Sequence, residues 1–286
     1  MGSNNRITAV EFRAMKSRGE KISILTAYDY TTAKALDFAG IDSILVGDSM
    51  GMVIYGEDST LKVTMDDLVR HTQAVAKGTE HAMVIADMPF MSFALPEDAL
   101  RNAGRLVKEG GADAVKLEGG MERVEAIKLM LNSGIPVMGH LGLTPQYIHR
   151  LGGYKLQGKT AKAAERLLED ALLLEKAGVF SIVLEMVPQQ IAKVISEQLS
   201  IPTIGIGAGI GCDGQVLVVQ DMMGASSGKS FKFVKKYADI WNTRVSAVKE
   251  YIQDVRKSAF PMESHSFNLD DEEWKQFQEY LTQKKT

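Results

Sequence analysis

Short apolar runs that end in a polar or charged residue alternate along the chain with longer stretches whose apolar positions recur every three to four residues. The short runs lack a clean in-and-out alternation, so they read as strands buried on both faces. They fall at residues 22–26, 43–46, 83–86, 114–117, 136–139, 181–184 and 201–206. An eighth lies within GQVLVVQDMM, where the gap after Ile206 is too short for a full crossover helix.

The longer stretches carry helix signals. Residues 95–109 place Pro96 at a helix start and Ala99, Leu100, Ala103, Leu106 and Val107 on one stripe, and Gly110 and Gly111 end it. Val124, Ile127 and Leu131 form a second stripe. Leu167, Leu168, Ala171, Leu174 and Ala177 form a third, closed by Gly178. Regular alternation of strand and helix leaves an open doubly wound sheet or a closed barrel, and seven or eight units in 286 residues predict an α/β fold of the (β/α)8 TIM-barrel type.

The tail breaks this pattern. From Asn268 it has an acidic start, Trp274, Phe277 and Leu281 at helical spacing, and a basic end. This predicts an additional C-terminal helix that docks a small apolar face, with a lid as the alternative. No linker or repeat divides the rest, so the expected organisation is a catalytic barrel over residues 1–267 and a helical extension over 268–286.

Composition narrows the field. A chain 45% hydrophobic and 24% charged forms a core, which excludes disorder as the main state. A net charge of −3 offers no positive field for a polyanion, so neither nucleic acid nor a membrane surface is an expected partner. The single cysteine, Cys212, can make no intrachain disulfide and no multi-thiolate metal site. Together with a start that lacks the apolar core of a secretion signal, and no run long enough to span a bilayer, it predicts a cytoplasmic location.

In a parallel barrel the strand C-termini share one face, so the residues that end the apolar runs should converge. They include Tyr28 and Asp29, Asp48 and Ser49, Asp87, Lys116 and Glu118, His140, and Glu185. Asp48, Asp87 and Glu118 follow three successive strands and would repel one another unless a cation lay between them; ligands that are all oxygen favour Mg²⁺. Any one of these acids alone could equally cap a loop or helix. Lys116 and Glu118 flank Leu117, so in strand geometry both face the same way. That lysine could hold the oxygen of a keto acid or pair with Glu118, and the two roles are compatible. His140 could shuttle a proton, donate to a substrate oxygen or support a carboxylate. Glu185 follows a strand across the barrel from the acid cluster and is the candidate general base.

Two glycine-rich runs fail as phosphate sites. GASSGKS has three residues between Gly224 and Gly228 where a P-loop has four. GIGAGIG lacks a following acidic ribose ligand and reads as tight packing at the barrel rim.

These motifs together resemble the ketopantoate hydroxymethyltransferase family. The resemblance runs from about Ile22 to Phe267 through LTAYDY, VGDSMGM, GEDST, ADMPF, VKLEGG, GHLGLTPQ, GGYKLQG, LEMVP, IGIGAG, CDGQVLV and HSF. It implies a barrel of the phosphoenolpyruvate/pyruvate superfamily type that transfers a hydroxymethyl group from 5,10-methylenetetrahydrofolate to 3-methyl-2-oxobutanoate. By the same resemblance, Asp48, Asp87 and Glu118 would serve Mg²⁺, Asp48, Ser49, Asp87, Lys116 and His140 would contact substrate, and Glu185 would accept the proton. It further implies a homo-oligomer, typically a decamer. A different Mg²⁺-dependent 2-oxo-acid lyase or mutase of the same superfamily is the alternative, though Cys212 lies outside the cysteine loop such lyases carry. A catalytically silent keto-acid- or phosphate-binding module is the third reading. The family's Pro-Lys-Phe segment reads Phe231-Lys232-Phe233 here, and the chain continues past the family's His-Ser-Phe close.

Overall fold

The computed structural model describes residues 6–226 and 231–284. The GASSGKS run therefore lies partly outside the described residues, as does the chain start read for a secretion signal. Eight strands are present: β1 (Ile22–Thr26), β2 (Ser43–Val46), β3 (Met83–Asp87), β4 (Ala114–Glu118), β5 (Val137–Gly142), β6 (Ser181–Glu185), β7 (Thr203–Ile206) and β8 (Gly214–Leu217). Each pairs in parallel with the next, and β1 pairs with β8, so the barrel is closed.

Several strands reach beyond their apolar runs. Asp87 pairs with Lys116, Glu118 with His140, and Glu185 with Ile206. Hydropathy marks where the side-chain surroundings change; the hydrogen-bond ladder continues into the polar zone. For the same reason β5 runs to Gly142 and carries His140 inside it. β7 starts late, at Thr203, because Pro202 has no N–H to give the ladder.

Register sorts each strand's residues into two cores. Ile22, Ile24, Leu45, Met83, Ile85, Ala114, Met138, Val183, Ile204 and Val216 point inward. Their alternates, such as Ile44, Val84, Val115, Leu117 and Leu184, pack outward against the helices. The floor of the barrel is sealed by the helix Ala9–Arg18, whose Phe12 meets Phe180 edge-on at 5.6 Å. The surrounding helices begin and end as their sequences require. Thr64 and Asp67 form a reciprocal capping box for Met65–Lys77, Pro96 opens Pro96–Lys108, and Gly178 ends Ala161–Ala177 in the left-handed conformation at φ 108°.

Two connections depart from the regular pattern. Between β7 and β8 residues 207–213 hold no helix, and the GIGAGIG run packs tightly there. Gly207 has φ 65°, and the ring of Phe233 sits 2.9 Å from where its Cβ would stand. At the other end of the chain, Ile240–Arg256 and Asp271–Gln283 bury none of their residues. The last helix forms as expected, yet the expected docking is not found among the described residues: Trp274 and Phe277 remain 47% and 46% exposed. An amphipathic pattern states that an apolar face exists, and it leaves open what covers that face.

Candidate active site

The inward positions change character toward the strand C-termini. On β3 they read Met83, Ile85, Asp87; on β4, Ala114, Lys116, Glu118; on β5, Met138, His140; on β6, Val183, Glu185. The polar members line a cavity of about 410 Å³ at the barrel mouth. Asp48 joins them from the turn after β2, where its backbone N–H donates to Asp87 Oδ2 at 3.2 Å. Gly47 permits this approach, because a Cβ there would lie 2.9 Å from Ser49 Oγ and 3.3 Å from Asp87 Oδ2. Ser49 Oγ in turn shares a 2.8 Å hydrogen bond with the buried Tyr28 hydroxyl.

Lys116 Nζ is 2.5 Å from Asp87 Oδ1. The salt bridge anticipated with Glu118 is therefore made with Asp87, since strand pairing sets those two side by side while Glu118 lies one inward position further along. Lys116 Nζ is also 3.3 Å from His140 Nδ1. Glu118 Oε1 stands 3.6 Å from the same His140 nitrogen, and its Oε2 accepts the Gln146 N–H at 3.1 Å. His140 Nε2 lies 3.2 Å from Glu185 Oε2 without hydrogen-bond geometry, so it is a buried nitrogen with no hydrogen-bond partner among the described residues.

Asp48, Asp87, Glu118 and Glu185 thus surround a single ammonium. Burial, then the charge of Asp87, pushes Asp48 up to about 7. Burial, then the charges of Asp48 and Asp87 against the pull of Lys116, hold Glu118 well above its ordinary value. Glu185 is pushed up to about 7 by burial, with Lys116 pulling the other way. Burial and Lys116 drive His140 well below its usual range, so it is neutral. Burial works against the Lys116 charge, but Asp87, Glu118 and Asp48 outweigh it and raise its pKa. A carboxylate cluster this short of positive charge suits a hard divalent cation. Among the described residues no three acids already converge on one coordination point. The donor chemistry fits such a cation, then, provided substrate or water oxygens complete its shell.

Sequence reasoning expected all of these at one mouth, and the structure brings them there except for Tyr28, which meets Ser49 without lining the cavity, and Asp29. Asp29 caps the helix Tyr30–Phe38, accepting from Thr32 N at 2.8 Å, and does not line the cavity. It also missed Gln146. That buried carboxamide donates from Nε2 to Asp48 Oδ2 at 2.8 Å and to Met88 O at 2.9 Å. Its only local signal is a glutamine following the proline of GHLGLTPQ, in a loop that leaves a strand.

The closed parallel eight-stranded barrel is a fold that the chain shares with several solved structures. Phosphonopyruvate hydrolase superposes with a TM-score of 0.60 at 14% identity, over 99% of this chain and 97% of that one. The phosphoenolpyruvate phosphomutase of Streptomyces platensis gives 0.59 at 15%, over 96% and 99%. A structure of phosphonopyruvate hydrolase complexed with oxalate and Mg²⁺ gives 0.58 at 13%, over 96% and 97%. At such identities the likeness establishes the fold alone.

Sequence carries the assignment further. A family model described as ketopantoate hydroxymethyltransferase matches residues 6–263. The 3-methyl-2-oxobutanoate hydroxymethyltransferase of Acetivibrio thermocellus is 56% identical over 269 residues, covering 94% of this chain and 95% of that protein. Its counterpart in Syntrophus aciditrophicus is 56% identical over 263 residues, covering 92% and 97%. The chain belongs to the ketopantoate hydroxymethyltransferase family and is a transferase of hydroxymethyl groups.

Proposed function

We propose that the chain transfers a hydroxymethyl group from 5,10-methylenetetrahydrofolate to 3-methyl-2-oxobutanoate, giving 2-dehydropantoate on the route to pantothenate, with Mg²⁺ as cofactor. The observation that carries this reading is the separation of two kinds of acid around one cavity. Asp48, Asp87 and Glu118 come from the ends of β2, β3 and β4, and Glu185 from the end of β6, partly buried and poised near neutrality.

Asp48 and Asp87, with Glu118 behind them, would hold Mg²⁺, which supplies Lewis-acid stabilisation of the keto acid's enolate form. Lys116 adds a fixed positive charge beside the same oxygens. Glu185 takes the proton from C3, and a carboxyl near 7 is well matched to that task because it is substantially ionised at neutral pH yet still basic. Neutral His140, between Lys116 and Glu185, keeps this base from being locked into an ion pair. Water releases the folate's methylene as formaldehyde, breaking both of its carbon–nitrogen bonds and supplying the oxygen; C3 then bonds to that carbon, and the alkoxide so formed takes up a proton to become the hydroxyl. Tetrahydrofolate leaves. Purified protein with this keto acid should form product only when both Mg²⁺ and the folate are present; product formation without either one would sink the reading.

A cytoplasmic setting and self-assembly, as a decamer on the family pattern, belong to the same reading. No helix among the described residues is long and apolar enough to cross a membrane. Val248, Tyr251, Ile252 and Val255 stand exposed along Ile240–Arg256 and support association between copies. Sedimentation at micromolar concentration should show an oligomer, and a lone monomer would count against it.

A further inference from the structure

The cavity is larger than a small branched keto acid held at the acids could fill, and its outer half is built differently from its inner half. There the wall is aromatic. Phe231 and Phe233 stack at 5.4 Å with ring planes 9° apart, and Tyr154 leans on Phe231 at 6.4 Å. Phe233 is seated against Gly207, where any side chain would displace it. The short helix Val219–Met222 presents Gln220 and Asp221 to the same cavity. Gln220 Oε1 is buried without a hydrogen-bond partner among the described residues. A buried acceptor left unpaired is costly, so its presence in a cavity wall points to a donor that arrives with a ligand. Burial pushes the Asp221 carboxyl up and Lys236 draws it back down, and no salt bridge to Asp221 is formed among the described residues.

Planar aromatic faces select a flat ring system, and unpaired acceptors select a ring edge rich in N–H donors. We infer that Phe231, Phe233, Gln220 and Asp221 form the subsite for the pterin ring of the one-carbon donor, with the aminopyrimidinone edge donating to Gln220 and Asp221 and the ring face on the phenyl stack. This rests on the reading that a reduced folate is the co-substrate.

The test uses the full-length enzyme with Mg²⁺ and saturating keto acid. Gln220→Leu and Phe233→Leu should each raise the KM for 5,10-methylenetetrahydrofolate about tenfold or more, while the KM for keto acid and the folate-independent exchange of its C3 proton stay within about twofold. Phe231→Pro should raise the folate KM by a smaller factor. Titration with 6-methyltetrahydropterin, which lacks the glutamate tail, should show the same weakening in Gln220→Leu and so assign the effect to the ring. An unchanged folate KM in both Leu variants, in an enzyme whose wild type turns over with the folate, overturns the subsite and leaves the co-substrate standing. A wild type with no folate-dependent turnover overturns the co-substrate reading itself. A parallel rise in both KM values would mean that the substitutions disturbed the barrel mouth as a whole, and that too would overturn the subsite.

Discussion

The two ends of the barrel interior are made from the same strands and the same inward register, yet they obey opposite physics. At the floor, Met83, Ile85, Ala114 and Ile204 form one apolar cluster with Phe12 and Met15 of the first helix. At the mouth, one or two inward positions further along, Asp87, Lys116, Glu118 and His140 are just as buried, Glu185 is partly buried, and all five are ionisable. The floor gains stability from burial, whereas the mouth concentrates four carboxylates around one lysine, and burial there pushes the pKa values of Asp48, Glu118 and Glu185 upward. Stability is supplied at one end so that strain can be tolerated at the other.

The comparison can be broken most directly at Glu185. Glu185→Gln preserves shape and removes the proton acceptor, so turnover should fall on the order of 10² to 10⁴-fold while Mg²⁺ and keto-acid affinity stay within about threefold. Isotope exchange at C3 isolates the step. Exchange as fast as wild type would move the base to His140.

The floor should answer to a different measurement. Phe12→Ala removes a fully buried ring from the plug, so unfolding free energy should drop by about 3–5 kcal/mol in denaturant titrations. The surviving folded enzyme should keep its substrate affinities. A change in affinity larger than the change in stability would show that the two ends are not separable.

Asp87→Asn should weaken Mg²⁺ and keto acid together by roughly ten- to a hundredfold in calorimetric titration, because an amide is a poorer ligand for a hard dication. It also strips Lys116 of its nearest counter-charge. If keto-acid affinity fell while Mg²⁺ affinity did not, Asp87 would be a partner of Lys116 and not a ligand.

The mildest perturbation is pH. Asp48 and Glu185 have folded pKa values of about 7, above their ordinary values of 3.8 and 4.5. A raised carboxyl favours the folded state while protonated, so its contribution is present in full below about pH 4 and is lost as pH rises through about 7. The metal-free protein should therefore lose stability on the order of 1 kcal/mol per pH unit approaching neutrality, and Mg²⁺ should flatten that slope. Asp48→Asn should reduce the slope, and Phe12→Ala should shift the curve without tilting it. Turnover should run the other way, rising with pH until Glu185 is ionised near 7.

Most of the inner end of the site was legible in the sequence. Each strand is buried on both faces, so it prints an unbroken apolar run, and the point where the run stops in Asp87, Lys116, Glu118 or Glu185 marks a polar side chain at a strand's C-terminal end. His140 was legible as a mouth residue, though not as a residue within its strand. Gln146 and the aromatic outer wall were not legible as site parts. A carboxamide in a loop and two phenylalanines near the chain's end carry no periodicity that separates a site residue from an ordinary one.

The sequence by itself determined the alternation of strand and helix, the residues that face the mouth and the family to which they belong, because these follow from local periodicity and from motifs in order. Only the tertiary structure decided who meets whom. Closure and register of the barrel paired Lys116 with Asp87 instead of Glu118, brought Gln146 onto Asp48 across 98 positions, and set Phe233 against Gly207. The fold likewise left the amphipathic helix Asp271–Gln283 uncovered. Contacts between distant positions depend on how every intervening element packs, and no stretch of the chain states that locally.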